Sequence, residues 1–566
     1  MSQAPVGRLE TLARWLHPLA VGGFLLSLAI GLLVPVYTDE IGWRFQERAA
    51  VDGGFDMMFS DACGPSTIAR APWFMMPVRL FSAVANRALA DPLFVRITGV
   101  ICALLWAGLL WLLTVQLERD LARRAMVQAL TFGLLGIGVL PFLLVLSRPE
   151  QPLILTATLM VLLVFLRPPA ANERVLAWIK VAAIVLLASI ALSYHLKGVL
   201  YAALALVCIA VCARGRATLA PRLAGMAALV ALALGAAHYW VGRFRCPGDA
   251  KLAAILDREN VAALIARGGS LGHLLLRMAE GANPWRYVEQ TLPFSRPMSS
   301  WIAPGLFPAD LPDVMGIALM ALWAAIALVV ALDLCWFISR ERLRALAEPR
   351  LMLALAILGC MLGWGASQFQ LHVYEAGHVL PMLVIAVLLA SALPLPRTGW
   401  RSLALPVLVA AAVPFALISQ AFVLASTVPS LVKAARTPGY PAAQPFSVSI
   451  SGYDGIRRDI ARAMAASVMP QDRRLHRLLI DDLTYFALQR SHMPLHRLGV
   501  LSVWNGGIKD PVAYLISRNS DGVVIGCHYL PGAMREAAAR SGPICALSRA
   551  GLDRLARLDP VMRGRP

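Results

Sequence analysis

The sequence predicts a polytopic α-helical membrane protein of about eleven transmembrane helices with a small C-terminal extracytoplasmic α/β domain. Three observations predict it. The chain is 58% apolar, only 15% charged and has a mean hydropathy of +0.67. Arginine recurs in every second connection between apolar runs, and the composition changes after about residue 427. The protein is therefore expected to lie largely in lipid.

The first apolar run, about 17–36, follows Arg8 and Arg14 and resembles the start of a secretory signal. It is long enough to span a bilayer, and no small-residue cleavage site closes it, so we expect a retained anchor. Ten more runs follow, at about 94–115, 126–146, 152–166, 176–193, 198–213, 220–241, 314–338, 351–369, 379–395 and 403–426.

The arginines predict the orientation. With the N-terminus inside, the cytoplasmic connections are all rich in Arg, as the positive-inside rule requires. They are residues 118–124, 167–174, 214–222, 339–350 and 396–401. This distribution explains the formal charge of +19 without a nucleic-acid partner and predicts a bacterial inner-membrane protein. Loops 37–93 and 242–313 and everything after 426 then lie on the periplasmic side.

The predicted domains are a transmembrane domain (1–426), a linker (427–445) that contains TPGYPAAQP, and a soluble domain (446–566). Strand-length runs at 478–480 and 522–526 alternate with helical periodicity at 454–468 and 532–540. This alternation predicts a small α/β domain, although the order of its strands is not readable.

Four cysteines fall in outer segments, which permits disulfides on an oxidising side of the membrane. Cys527 and Cys545 are the local pair, and a Cys63–Cys246 bridge would join the two outer loops. Buried free thiols are the alternative. The sequence has no CxxC, zinc spacing or P-loop, so a zinc enzyme or nucleotide-driven motor has no support.

The sharpest candidate site is the acidic pair Asp39 and Glu40, directly after the first predicted span. Desolvated carboxylates are costly unless they are paired, which makes this a poor place for packing alone. One of them is a candidate general base for an acceptor hydroxyl, and the other a candidate to orient the acceptor or hold a divalent cation. A pair of solvated interfacial acids is the alternative.

Two further outer turns carry charge. Arg148 and Glu150 flank a proline break in SRPEQP, where Arg suits a phosphate and Glu suits sugar hydroxyls. His195 and Lys197 lie in SYHLKG, and Lys197 with Arg148 is a candidate to stabilise a departing phosphate. A surface Arg–Glu turn and a lysine that reaches lipid headgroups are the alternatives.

The segment HVYEAGH spaces His372, Glu375 and His378 by three residues. If the segment is helical, the three side chains share a broad face. They are candidate contacts for sugar or phosphate, or a metal site that lacks the usual i, i+4 histidine pair. A polar helix end is the plain alternative.

Together, the acidic pair after the first span, the charged later outer turns, the span count and the outer tail resemble the GT-C superfamily of polyprenyl-phosphate-sugar glycosyltransferases. Within it, residues 71–112 and the segment from SRPEQP through SYHLKG are similar to mycobacterial cell-wall arabinosyltransferases, which also open a span with an RPE turn. The closer similarity covers roughly residues 37–210. Those enzymes are nearly twice as long and end in β-sandwich modules, so the resemblance leaves arabinofuranose as one candidate sugar among others.

The resemblance implies a lipid-linked sugar donor, with Asp39 as general base, Glu40 as its partner and Arg148 and Glu150 in the donor site. The acceptor would be an envelope glycan, lipid or protein. Three rivals stay open at this stage: an O-antigen ligase or polymerase type of enzyme, a transporter or flippase, and a non-enzymatic scaffold. The oligomeric state and any metal requirement are not readable.

Overall fold

The structure is a computed structural model. It describes residues 4–44, 72–166, 172–213, 218–243, 272, 313–367, 373–396, 400–436, 447–470, 478–488, 494–497, 510–517 and 519–558.

The first part of the chain is helical, and its helix bounds follow the predicted apolar runs. Helices α1 to α14 are α1 (Ala4–Ile30), α2 (38–44), α3 (Met76–Ala88), α4 (Pro92–Leu117), α5 (Leu121–Leu135), α6 (Leu140–Leu144), α7 (Glu150–Phe165), α8 (Glu173–Tyr194), α9 (Gly198–Val211), α10 (Leu219–Arg243), α11 (Asp313–Glu341), α12 (Pro349–Ser367), α13 (Val373–Ser391) and α14 (Trp400–Arg436).

Within the described residues, six helices are long and apolar enough to cross a membrane: those within α1, α4, α8, α10, α11 and α14. Shorter apolar helices lie within α7, α9, α12 and α13. The run predicted at 126–146 is broken into α5 and α6, because Gly138 adopts a positive φ of 59° and Pro141 starts a new helix. A count of eleven spans stays a prediction.

The C-terminal part forms a five-stranded sheet with helices around it. The strands are β3 (Leu478–Ile480), β4 (Pro494–Arg497), β5 (Gly522–Gly526), β6 (Ala539–Ser541) and β7 (Ile544–Ser548), and the helices are α15 (Tyr453–Ala466), α16 (Asp482–Leu488), α17 (Pro511–Ser517), α18 (Gly532–Ala537) and α19 (Arg549–Ala556). The order of the strands in the sheet is β4-β3-β5-β7-β6. Strands β3, β4 and β5 are parallel, whereas β7 is antiparallel to both β5 and β6.

A second, two-stranded sheet joins this C-terminal part to the helical part. Strand β1 (Val36–Tyr37), between α1 and α2, pairs antiparallel with β2 (Ser447–Val448). Val36, Ile41 and Val95 pack in one apolar cluster with core residues of the C-terminal part. Because backbone pairing needs direct contact, the C-terminal part lies on the same side of the bundle as α2.

An ion pair strengthens that junction. Arg457 of α15 donates to the Ala90 carbonyl oxygen at 2.6 Å and to the Asp91 carboxylate at 3.2 Å. Asp91 also caps the N-terminus of α4 by accepting from the Leu93 N–H. The C-terminal part is therefore attached at the start of α4 as well as at β1.

Candidate active site

The two adjacent carboxylates of α2 face different surroundings. Asp39 keeps 35% of its side chain exposed and forms an ion pair with Arg148, Oδ2 to Nη1 at 2.6 Å. Glu40 is completely buried. Since neighbouring residues on a helix point about 100° apart, this short helix sends one carboxylate outward and the other inward.

All four acceptor positions of Glu40 are used. Its Oε1 accepts from Arg96 Nη1 at 3.2 Å and the Ser147 N–H at 2.6 Å. Its Oε2 accepts from Arg96 Nη2 at 2.8 Å and the Tyr37 N–H at 2.8 Å. In this structure the Glu40 carboxylate is fully buried and has no free acceptor position, which favours a positioning role. A catalytic role for Glu40 stays a prediction. Glu40 positions the strand before Asp39 and the turn that carries Arg148.

Arg96, the ion-pair partner of Glu40, was not among the residues predicted from the sequence. This fully buried arginine of α4 also donates to three backbone carbonyl oxygens, those of Val34 at 2.9 Å, Pro35 at 2.8 Å and Val145 at 2.7 Å. A signal was present: an arginine inside an apolar run, at an end where positive charge is rare, needs a buried acid.

Four charged side chains form a row of alternating sign. Asp39 contacts Arg148, whose Nε lies 3.1 Å from Oε2 of Glu150, and Lys197 Nζ lies 2.8 Å from Oε1 of Glu150. The predicted residues of three separate outer segments are thus brought together. Arg148 and Lys197 are each 11% exposed and Glu150 is 7% exposed, so Asp39 is the most open member of the row.

Hydrogen bonds and close backbone packing hold the turn that carries Arg148 against α4 and α6. Gln151 donates its side-chain amide to the carbonyl oxygens of Leu144, at 2.5 Å, and Gly99, at 2.9 Å. A Cβ on Gly99 would overlap the Val145 carbonyl oxygen, so only glycine lets α4 come this close. A small cavity beside Arg148, lined also by apolar residues of α6 and α7, has room for about one water molecule.

Aromatic rings support the second cation and its turn. Lys197 Nζ lies 4.2 Å from the centroid of the Trp364 ring, a cation–π distance. The His195 ring packs against Trp43, with centroids 5.4 Å apart, and against Trp240, at 6.2 Å. Its Nδ1 accepts the N–H of Lys197 at 3.1 Å. His195 therefore shapes the turn that presents Lys197.

The fourth predicted segment, HVYEAGH, gives a different result. His378 is fully buried in α13, where Nε2 shares a short hydrogen bond with the Tyr201 hydroxyl and the ring lies 4.1 Å from that of Trp364. His378 has no exposed surface in this structure, and a substrate contact by His378 stays a prediction. His372 and the side chain of Glu375 lie outside the described residues.

The remaining predicted positions concern disulfides and metal. Cys527 and Cys545 form a disulfide between the end of β5 and β7, whereas Cys63 and Cys246 fall outside the described residues. No group of three His, Cys, Asp or Glu side chains that could hold a metal ion occurs in the described part of the chain. A cation bound at Asp39 stays a prediction.

A buried acid lies in the C-terminal sheet, at the carboxyl end of β3. Asp481 accepts from the backbone N–H groups of Gly526 and Thr484, each at 2.8 Å, and from the Thr484 hydroxyl at 2.9 Å. Burial raises the pKa of the Asp481 carboxyl to about 6, against the opposite effect of these hydrogen bonds. Through these hydrogen bonds Asp481 ties the end of β3 to the end of β5.

Comparison with known proteins finds no matching family model and no matching curated protein. Solved structures similar to this chain include ArnT from Cupriavidus metallidurans bound to undecaprenyl phosphate, at 14% identity and a TM-score of 0.43, over 95% of this chain and 98% of that one. AglB from Archaeoglobus fulgidus, an oligosaccharyltransferase solved with an inhibitory peptide and a dolichol-phosphate, gives 12% identity, 90% and 69% coverage and a TM-score of 0.39. Both TM-scores lie below 0.5.

Proposed function

We propose that the protein is a membrane glycosyltransferase that moves a sugar from a polyprenyl-phosphate donor to a hydroxyl of an envelope glycan, lipid or protein on the periplasmic face. The observation that carries the proposal is the row Asp39–Arg148–Glu150–Lys197 at one end of the helical bundle. A partly exposed carboxylate in a row with two cations supplies a base for the acceptor, and the cations supply positive charge for a phosphate.

The proposed reaction is a single displacement. Asp39 takes the proton of the acceptor hydroxyl while the hydroxyl oxygen forms a bond to the anomeric carbon of the sugar. The bond between that carbon and the phosphate oxygen breaks, and the electron pair leaves with the polyprenyl phosphate. Because attack and departure occur on opposite faces, the anomeric configuration inverts.

In this proposal Arg148 and Lys197 stabilise the negative charge of the departing phosphate. Negative charge grows on the phosphate oxygen in the transition state, and nearby cations in a partly dehydrated site stabilise it. Glu150 bridges the two cations, which sets their spacing and keeps Lys197 over Trp364. We assign Glu150 as a positioning residue. The proposal leaves open whether a divalent cation takes part, whether the sugar is arabinofuranose and which class of acceptor is used.

The charges inside the helices argue against the transporter alternative. Transporters place ionisable groups near the bilayer midplane, at the substrate path. Here Lys180 donates to the Val164 carbonyl oxygen at the end of α7, and Asp333 pairs with Arg401 at 3.2 Å. Both pairs satisfy helix ends or neighbouring helices, and neither lies beside the row at Asp39.

The test is donor turnover by the purified full-length protein in nanodiscs. A panel of undecaprenyl- and decaprenyl-phosphate sugars is added with envelope extracts as acceptor, and free polyprenyl phosphate is measured. The wild type should release it from one donor, and Asp39→Asn should lower the rate by roughly 10²–10⁴-fold. Asp120→Asn is the matched control, because Asp120 only caps α5 and asparagine caps equally well. Equal turnover by Asp39→Asn and wild type would refute the mechanism.

A further inference from the structure

Helix α3 exposes an apolar stripe. Leu80, Phe81 and Val84 are 47%, 69% and 65% exposed, and Trp73, in the turn before the helix, is 82% exposed. Positions 77, 80, 81, 84 and 88 are spaced by three or four residues and therefore share one face. The residues at these five positions are all apolar. An exposed stripe of this kind on a folded protein marks a surface that meets another apolar phase.

The opposite face of α3 is fixed by Arg79, which is fully buried. Its Nη2 donates to the Ser193 carbonyl oxygen at 3.3 Å, and its guanidinium carbon lies 5.5 Å and 5.1 Å from the ring centroids of Tyr239 and Trp240. Turning the helix to bury the stripe would pull this charge out of its partners. The stripe therefore faces outward as a consequence of how α3 is held.

The stripe continues into a surface that lies in lipid. Only three residues separate α3 from α4, a helix of 26 residues that is apolar enough to span a bilayer. Leu93 and Phe94, in the first turn of α4, are 41% and 50% exposed, and an apolar groove lined by Ile101, Leu105 and Leu112 follows further along α4. The apolar surface of α3 thus joins the lipid-facing surface of a spanning helix at its end.

We infer that α3 is an interfacial helix whose Trp73, Leu80, Phe81 and Val84 stripe is seated in the lipid leaflet on the side of Asp39. Amphipathic helices lie in the membrane plane with the apolar face buried at the boundary of headgroups and acyl chains. Tryptophan suits that depth, because its ring is apolar and its N–H finds polar partners. The partner is a lipid surface, and the inference does not depend on the reaction that the protein catalyses.

The seating of α3 also reaches the turn that presents Lys197. Arg79 holds the Ser193 carbonyl oxygen in the last turn of α8, and Trp240 Nε1 donates to the carbonyl oxygen of Leu192 at 3.0 Å. The Trp240 ring then packs against His195. A helix held by lipid on one face therefore supports, through its other face, the backbone just before the SYHLKG turn.

Fluorescence quenching of Trp73 tests the inference with the full-length protein in nanodiscs. The spectrum of Trp73 is the difference between wild type and Trp73→Phe, a change that keeps an aromatic ring at the position. With acyl-brominated phospholipids, most of this difference emission should be lost, and aqueous acrylamide should quench it weakly. Strong quenching by acrylamide with none by brominated lipid would overturn the inference. Protection from both quenchers would also overturn it, since it would mean that protein covers the stripe.

A pair of substitutions checks that the stripe, and not Trp73 alone, is in lipid. Phe81→Asp places a charge in the middle of the stripe, whereas Phe81→Leu keeps it apolar. We expect the Trp73 difference emission to shift to longer wavelength and to lose its quenching by brominated lipid in Phe81→Asp, and to stay unchanged in Phe81→Leu. The same emission in both variants would contradict seating of the stripe. Both readouts work whether or not the protein transfers a sugar.

Discussion

The neighbouring carboxylates Asp39 and Glu40 should respond in opposite ways to the same chemical change, carboxylate to amide. Glu40→Gln removes the charge that balances Arg96 in a place where both side chains have no exposure. It also turns one acceptor oxygen of a fully used carboxylate into an N–H donor that faces other donors. Asp39→Asn removes a charge that water and Arg148 share.

The magnitudes differ because of burial. Removing one partner of a buried ion pair leaves the other charge unpaired, which lowers the free energy of unfolding by about 3–5 kcal/mol. An ion pair with a partner as exposed as Asp39 contributes only about 0.2–1 kcal/mol. For turnover the order is reversed, because loss of a general base by Asp39→Asn costs about 3–5 kcal/mol in the activation free energy.

The assay measures two quantities on each variant: the apparent melting temperature in detergent and the release of free polyprenyl phosphate per folded molecule. We expect the melting temperature of Glu40→Gln to lie well below that of the wild type. Asp39→Asn should have the melting temperature of the wild type but should turn over very slowly. The opposite result for Glu40→Gln, a wild-type melting temperature with turnover lost, would show that Glu40 acts on the substrate and that its assignment as a positioning residue is wrong.

Three more changes have expected outcomes. Gly99→Ala should lower turnover and should lower the free energy of unfolding by about 1–3 kcal/mol, because the new Cβ would overlap a backbone carbonyl oxygen of the facing turn. Gly108→Ala, on the same helix, is the control: its Cβ meets no atom within 4 Å, so the same melting and turnover assays should show no change. Trp364→Leu should raise the KM for the donor by roughly 2- to 30-fold, which corresponds to the free energy of a cation–π contact with Lys197. Trp364→Phe keeps an aromatic ring and should bring the KM most of the way back to the wild-type value. A change confined to kcat would contradict this. The pKa of Asp481 is raised from 3.8 to about 6 in the folded protein, so its proton binds more tightly to the folded state than to the unfolded state. The stability that this proton contributes is therefore complete below about pH 4 and is lost as the pH rises through about 6. Hydrogen exchange of the C-terminal sheet, corrected for intrinsic rates, should show less protection at pH 7 than at pH 4.5, and Asp481→Asn should flatten that trend.

Most helix bounds were readable from the sequence, because hydrophobic length is a local property. The runs predicted at 176–193 and 198–213 are observed as helices Glu173–Tyr194 and Gly198–Val211. The strand-length runs at 478–480 and 522–526 have the same bounds as the observed strands β3 and β5. The break between α5 and α6 was missed, although its glycines and proline are visible, because the run around them is apolar throughout. The order of the strands depends on contacts between distant segments, which local patterns do not contain.

The sequence indicated which charged residues lie close together, but not how the two acids differ. A catalytic role for these residues stays a prediction. The sequence indicated that Asp39, Arg148, Glu150 and Lys197 lie at one end of the bundle, since orientation by arginine places their turns together. Which acid is exposed depends on Arg96, a residue 56 positions along the chain from Glu40. That pairing is a tertiary contact, so the sequence pattern alone treated the two acids as equivalent.

The pairing of β1 with β2 has a consequence for biosynthesis. A ribosome completes residues 36–37 long before residues 447–448 exist, so the strand that leads into α2 has no partner while the helices are being inserted. The second strand can pair with β1 only after all the helices between the two strands have been made. The strand before α2 therefore stays unpaired until the chain has been made beyond residue 448, and in a shorter polypeptide Asp39 lies next to an unpaired strand.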